Sequence, residues 1–369
     1  MTAKSNARRA ARTVGPVRIV GTGLLGTSIG HGLTALGVEV VLSDASRAAL
    51  SLAVDYGAGR PAIAEDRPRL VVVAVPPDVT ADVVEAELAA HPDAVVTDVA
   101  SVKLEPLREL RRRGVDISRY IGSHPMAGRE RSGAIAGRAD LFVGRPWIVC
   151  RDEETSREDL AVVEALALDL GALPREMGPE DHDAAVALVS HVPQLVASLL
   201  AKRLTPAADE SVALAGQGLR DTTRIAASDP ALWTQILTAN SAPVVELLRA
   251  FRDDLDGVID ALAEPEATGA RRAIAGVIAD GGVGVARLPG KHGQSKHFAS
   301  VTVLIDDQPG EMGRLFTFMG EIGINLEDLR LEHSPGAQVG MAEISVLPEV
   351  EARFIEELEA AGWRIGGSE

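Results

Sequence analysis

One ionisable ring stands in a short constrained loop, in Gly122-Ser123-His124-Pro125-Met126-Ala127-Gly128. Pro125 keeps His124 out of helical geometry, and an imidazole is the side chain best matched to taking a proton from a hydroxyl near neutral pH. The spacing leaves two readings open, a general base beside a redox cofactor and a structural histidine. Ser101, in Val99-Ala100-Ser101-Val102-Lys103, follows another β-rich run and reads as a site hydroxyl or as a helix cap. Gly218-Leu219-Arg220-Asp221-Thr222-Thr223-Arg224 carries two guanidinium groups. Such a group grips a carboxylate through two parallel hydrogen bonds, and pairing with Asp221 at the surface is the competing reading. His191 and Gln194 lie three apart, on one helix face beside Pro193.

A second group of residues prepares a phosphate site. Gly21-Thr22-Gly23-Leu24-Leu25-Gly26 directly follows the strand-like run VRIV and opens a helix. That context turns a GxGxxG pattern into a dinucleotide fingerprint. Gly21 makes the turn, Gly23 lets the pyrophosphate approach the backbone, and Gly26 lets helix and strand pack closely. Leu24 and Leu25 start the helix whose N–H groups face the phosphates. Asp44 ends the next strand, where a carboxylate accepts from the adenosine ribose and repels a 2′-phosphate, so NAD is expected over NADP. A role as a helix cap is compatible with this. Val75 and Pro76 end a further strand on the same side and complete the expected cofactor site with Ser101.

The elements that must hold these residues fall into three segments. Residues 16–151 alternate β-rich apolar runs with helical stretches, as a parallel sheet with crossover helices does. The run 70–75 is apolar throughout, as in a strand covered on both faces. Residues 152–281 show no convincing strand and read as an all-α substrate and dimerisation domain. Its helices start at a Ser156 cap and at Pro179, with a kink at Pro193 near His191, and two more are expected over 242–262 and 265–279. Residues 282–296 are Gly-rich and polar and read as a linker. Residues 297–369 read βαββα with room for a last short strand over 363–365, the ferredoxin-like pattern. Residues 1–15 read as a disordered tail.

The chain of 369 residues is long enough for two or three domains. A net charge of −16 opposes nucleic-acid binding, which needs a positive field. The single cysteine, Cys150, excludes an intrachain disulfide and sits in an apolar run as a core residue. No run of 18 apolar residues is present, so no membrane span and a cytoplasmic location are expected. No residue is assigned to a metal.

Taken in order behind the glycine loop, TDVASVK, GSHPMAG, HDAAVALVSHVP and GLRDTTRIAASDPALW resemble prephenate dehydrogenase over about 17–262. The last segment, with Asp307-Gln308-Pro309-Gly310 and Gly323-Ile324-Asn325, resembles an ACT domain, a small amino-acid-sensing module. The resemblance implies NAD-dependent oxidative decarboxylation of a cyclohexadienol, prephenate or arogenate, in a homodimer. It makes His124 the acceptor for the ring hydroxyl, with Ser101 bonded to that hydroxyl and Arg224 on a substrate carboxylate. Glu130 belongs to an ionic gate, with Asp183 as a partner, and Trp233 helps close the pocket. The family often has a second histidine where this chain has Gln194, which leaves keto acid and amino acid substrates both open. Tyrosine is the implied effector, near Pro309, Gly310 and Asn325. Two other readings remain: a β-hydroxyacid dehydrogenase, a class that commonly uses a lysine in the helical segment, where Lys202 reads as a charge complement at a helix C-terminus, and a dinucleotide-bound sensor without turnover.

Overall fold

The computed structural model describes residues 10–128, 133–151, 155–288, 298–332 and 339–368. The chain divides into two compact units, one of residues 1–206 with 222–251 and one of 207–221 with 252–369.

The first unit is built on eight strands: β1 (Val17–Val20), β2 (Val40–Ser43), β3 (Arg60–Pro61), β4 (Leu70–Val73), β5 (Val95–Asp98), β6 (Tyr120–Pro125), β7 (Pro146–Cys150) and β8 (Leu173–Met177). They form one sheet in the order β3-β2-β1-β4-β5-β6-β7-β8. From β3 to β6 all neighbours are parallel. The crossovers contain α1 (Leu24–Ala35), α2 (Arg47–Asp55), α3 (Pro77–Ala90) and α4 (Leu104–Arg113), and α5 (Arg157–Asp169) joins β7 to β8. The reversal of strand order at β1 and β4 is the doubly wound dinucleotide-binding topology.

The all-apolar β4 follows from having helices on both faces. Leu70 and Val72 join Ile19, Ile29 and Leu33 in one core, while Val71 and Val73 join Val84, Val96 and Leu110 in the other. Ser156 caps α5, its hydroxyl accepting from the Asp159 amide at 3.0 Å, and Gly171 follows the helix with φ +75°. Cys150 is buried in β7, and burial pushes its thiol up to about 12.

Four expectations are corrected. First, β7 runs antiparallel to β6 and parallel to β8, so the sheet is mixed at this end. Second, β8 lies in the segment read as strandless, beyond the expected boundary at 151. Its sequence LPREM carries little apolar signal because it is an edge strand, with Leu173 exposed. Third, the expected tail is anchored at residues 12 and 13, whose amides both donate to Asp169 at 2.7 Å. Fourth, part of the expected linker is helical, because α12 continues to Val285. Residues 289–297 lie outside the described residues.

The helix opened by Pro179 does continue past Pro193. It comprises α6 (Pro179–Val186), a π-helical turn (Ala187–His191) and α7 (Val192–Lys202). The missing Pro193 amide lies just after this widened turn, so the helix departs from regular α geometry near His191, where the sequence placed the distortion, and is not interrupted. By length and composition, the span Pro179–Lys202 is apolar enough to cross a membrane. It also carries His182, Asp183, His191 and Gln194, all buried in this unit.

Four more helices follow: α8 (Asp209–Val212), α9 (Gln217–Thr223), α10 (Pro230–Ala239) and α11 (Ser241–Ala263). The expected all-α domain is therefore shared between the units, with α6, α7 and α10 belonging to the sheet unit.

The second unit contains α12 (Ala270–Val285) and then β9 (Ala299–Asp306), α13 (Glu311–Glu321), β10 (Asp328–Glu332), β11 (Val339–Val346), α14 (Pro348–Ala360) and β12 (Arg364–Ser368). Its sheet has the order β10-β11-β9-β12 with every pair antiparallel. This is the ferredoxin-like βαββαβ arrangement expected from the pattern. Period-two burial in β9 places Val301, Val303 and Ile305 against Leu315, Met319, Phe354 and Leu358.

The glycine turn gives a direct test of packing. A Cβ on Gly26 would lie 1.9 Å from the Gly21 carbonyl oxygen. Gly26→Ala is expected to lower stability by about 1–3 kcal/mol or more, read from the denaturant midpoint. An unchanged midpoint would contradict the close helix–strand approach.

Candidate active site

The parallel strands β1, β4, β5 and β6 are adjacent, and each ends on the same side of the sheet in a residue group singled out above. β1 leads to the glycine loop, β4 to Val75 and Pro76, β5 to Ser101, and β6 contains His124 near its carboxyl end. Three strand spacings separate β1 from β6, about 14 Å, a span suited to an extended dinucleotide.

The glycine loop fits such a ligand. Gly21 has φ +99°, and a Cβ there would lie 2.3 Å from the Ala74 carbonyl oxygen. Gly23 has open space where its Cβ would be, so the backbone is accessible from that side. It is the N-cap of α1 and places no side chain on the helix N–H groups, which leaves them available to phosphate. Leu24 and Leu25 are half-buried at the helix start. Asp44 stands one residue past β2. Its carboxylate accepts from the Thr22 amide at 2.6 Å and hydroxyl at 2.8 Å, and from the Ser46 amide at 2.7 Å. Ser46, not Asp44, is the N-cap of α2. Asp44 therefore braces the glycine loop from the position expected to meet the ribose.

Around His124 the structure adds a layer that the motifs did not reveal. His124 is half-buried, and its Nδ1 lies 2.9 Å from Nε2 of His182. His182 is fully buried, and its Nδ1 lies 2.7 Å from Oδ1 of Asp183. The Asp183 carboxylate also accepts from the backbone amides of Lys103 at 2.9 Å and Leu104 at 3.0 Å. It thus caps α4 from another element, since the N-cap residue Lys103 supplies no side-chain cap. Ser101 is not that cap, which removes the competing reading of its hydroxyl. Both Asp183 oxygens are committed inside the fold, so Asp183 does not stand at the pocket mouth as a gate residue. Glu130 lies outside the described residues.

Beneath this layer is a buried ion pair. Lys103 and Asp98 are both excluded from solvent and joined through Nζ and Oδ1. Lys103 Nζ also donates to the Ser123 carbonyl at 2.7 Å, next to His124. Asp98 accepts from the Tyr120 hydroxyl at 2.7 Å and the Ala100 amide at 2.8 Å. Ser123 Oγ donates to the Asp98 carbonyl at 2.9 Å. Burial holds the His124 pKa well below the usual imidazole range, reinforced by His182, Lys103 and His191. Burial pushes the Tyr120 hydroxyl up, with Asp98 adding to the effect.

The helical side of the site is linked to the same network. Asn240 Nδ2 donates to the Asp183 carbonyl at 2.8 Å and lies 3.1 Å from His191 Nδ1. Burial lowers the His191 pKa to about 4. Trp233 on α10 meets the His191 ring edge-on at 6.1 Å between centroids. Gln194 is buried, with Nε2 3.4 Å from Ser198 Oγ and Oε1 3.5 Å from Ser228 Oγ. Arg224 is exposed at the start of the turn Arg224–Ala226, just ahead of Ser228. Sequence reasoning missed His182, Asp98, Lys103, Tyr120 and Asn240 as parts of this site. The only signals were His-Asp in the first turns of a helix and a carboxylate five residues before a lysine.

Comparison with known proteins follows this geometry. Residues 29–174 match the family model described as prephenate dehydrogenase, nucleotide-binding domain, and residues 178–273 match prephenate dehydrogenase, dimerization domain. A probable prephenate dehydrogenase, NovF, of Streptomyces niveus is 37% identical, covering 94% of this chain and 98% of that protein. The crystal structure of prephenate dehydrogenase from A. aeolicus in complex with hydroxyphenyl propionate and NAD+ is similar, with a TM-score of 0.63 and 27% identity, covering 72% of this chain and 96% of that one. Synechocystis arogenate dehydrogenase gives a TM-score of 0.58 at 28% identity, with 72% and 98% covered.

The buried pair generates a prediction. Lys103→Met leaves Asp98 charged without its cationic partner and is expected to cost about 3–5 kcal/mol. Adding Asp98→Asn should recover part of that loss. Denaturant midpoints of the single and double variants measure it, and two independent losses that simply add would contradict the pairing.

Proposed function

The chain belongs to the prephenate dehydrogenase family, and on that premise we propose that it carries out the NAD-dependent oxidative decarboxylation of prephenate to 4-hydroxyphenylpyruvate in tyrosine biosynthesis. The observation that carries this reading is the alignment of the glycine loop, Ser101 and His124 beyond the carboxyl ends of adjacent parallel strands.

Gly21, Gly23, Gly26 and Asp44 would hold NAD, which when bound would supply the hydride acceptor for the carbinol carbon of the ring. The protein's own residues handle the proton and the orientation. His124 is neutral near pH 7, because burial opposes its charged form, so it can accept the hydroxyl proton as hydride leaves the same carbon. Ser101 bonds the same hydroxyl and sets the ring against the cofactor. Arg224 grips a substrate carboxylate. Loss of the ring carboxylate as CO₂ makes the ring aromatic, which supplies the driving force, so positioning is the main demand on the site.

Arogenate is the second substrate to consider, because a buried neutral amide, Gln194, occupies the helix face beside Trp233 and His191. The homodimer is supported by the match of 178–273 to a dimerization domain. A cytoplasmic location belongs to the same reading. The βαββαβ unit is read as an ACT domain that binds tyrosine. The Pro309-Gly310 loop, with Gly310 at φ +98°, adjoins a pocket lined by Asp306, Gln308, Glu311, Met312, Leu331 and Met341. Asn325 does not line that pocket.

His124→Asn is expected to lower kcat by about 10²–10⁴-fold while NAD binding stays intact. Near-normal turnover would favour a different base and a β-hydroxyacid dehydrogenase. The ratio of kcat/KM for prephenate and arogenate measures the choice of side chain; failure to turn over either substrate would overturn the assignment. Calorimetry should register tyrosine binding to the full chain and none to a chain ending at residue 288. Equal heats, or no heat from either, would remove the sensing role.

A further inference from the structure

We propose that His182, backed by Asp183, sets the tautomer of His124 and takes over the positive charge formed when His124 accepts the substrate proton. The proposal rests on the reading of His124 as the proton acceptor.

Asp183 receives two backbone N–H groups, from Lys103 and Leu104, at the N-terminus of α4. Both are donors, and the helix end favours negative charge there. Its Oδ1 lies 2.7 Å from His182 Nδ1, so that nitrogen carries the proton. Neutral His182 then has only a lone pair on Nε2. The 2.9 Å contact to His124 Nδ1 therefore requires His124 to donate. Two consequences follow for His124: its proton sits on Nδ1, and its Nε2 is an acceptor. Nε2 has no hydrogen-bond partner among the described residues, and the ring retains exposed surface. The tautomer is the one that can take a proton.

The same chain accounts for where the charge goes. As the hydroxyl O–H bond breaks, the proton bonds to His124 Nε2. The Nδ1–H bond of His124 then breaks and its proton bonds to His182 Nε2. His124 is again neutral, and His182 is an imidazolium donating to Asp183. Each nitrogen that gains a proton uses its lone pair, the O–H and N–H bonding pairs stay on the atoms that lose protons, and no oxidation state changes in the relay itself; the two-electron change belongs to the hydride transfer. An imidazolium at His124 would be half-buried and near the Lys103 ammonium, whereas one at His182 is bonded to a carboxylate. Lys103 ahead of α4 and His191 on the π-helical turn bear on His124, while Tyr120 on β6 and Cys150 on β7 bear on Asp183, with Asp98 on β5 beside them. None of these bonds His182, whose partners are Asp183 and His124.

Asp183 also pins the segment that begins two residues after Ser101. One carboxylate thus orients the acceptor histidine through His182 and the hydroxyl loop through the backbone of α4. His182 and Asp183 are positioning residues in this scheme, because neither touches the substrate.

The test compares His182→Gln, Asp183→Asn and His124→Asn in the full-length enzyme, with prephenate and NAD. His182→Gln should lower kcat by about two orders of magnitude or more, as loss of tautomer control does elsewhere, with little change in KM or NAD affinity. In Asp183→Asn the acid limb of the kcat profile should move to lower pH, because the histidine pair loses its counter-charge. If His182→Gln keeps wild-type kcat and profile while His124→Asn is inactive, the relay is wrong and the assignment of His124 stands. If His124→Asn remains active, the assignment of His124 fails first. A measurement on the unmodified protein guards against misfolded variants. Nitrogen-15 NMR should find neutral His124 protonated at Nδ1, and protonation at Nε2 would overturn the proposal.

Discussion

A lysine ammonium withdrawn from water must be met by negative charge and by acceptors for its remaining N–H groups, and Lys103 is met on both counts. Asp98 supplies the charge from the end of β5, and the Ser123 carbonyl supplies an acceptor from β6. The pair therefore fixes the separation of two strand ends and the start of α4 at once. Replacing such a pair with apolar side chains could leave the core as stable. What the pair provides here is registration: His124 is the residue after Ser123, and Ser101 lies between Asp98 and Lys103. Displacing either candidate site residue would require opening a buried charge.

Above this pair the polar network is continuous. Asp183, His182 and His124 run outward in one direction, and Asn240, His191 and Trp233 run toward the helical face. Asp183, His182, His191 and Asn240 are buried, so their polar atoms must be satisfied by neighbours rather than by water. The widened turn Ala187–His191 belongs to the same design. It absorbs Pro193 without breaking the helix that carries His182, Asp183, His191 and Gln194. Those four side chains keep their positions on one unbroken span.

The glycine loop is simpler. Its demands are steric and local: a left-handed turn at Gly21, an open face at Gly23, and contact of α1 with β1 at Gly26. Such demands leave their mark on consecutive residues, so the loop and the parallel strands β1, β2, β4, β5 and β6 could be read from short stretches, whereas the two-residue β3 was too short to show. The βαββαβ order of the C-terminal segment was legible for the same reason, since alternating burial in β9 is written along the strand itself. β8 was not legible, because a polar edge strand shows neither alternation nor a continuous apolar run.

The sequence by itself determined the doubly wound sheet and the dinucleotide loop, because each depends on residues close together in the chain, and it singled out His124, Ser101 and Arg224 as site candidates. It could not determine that Asp183 is a buried cap rather than a gate, or that Asp98, Lys103 and His182 serve His124. Those relations join residues up to about 80 positions apart, and a hydrogen bond between distant segments leaves no periodicity to read. Only the tertiary structure brings α6 against the ends of β5 and β6, and only there does a His-Asp dipeptide come to lie against His124 and the start of α4.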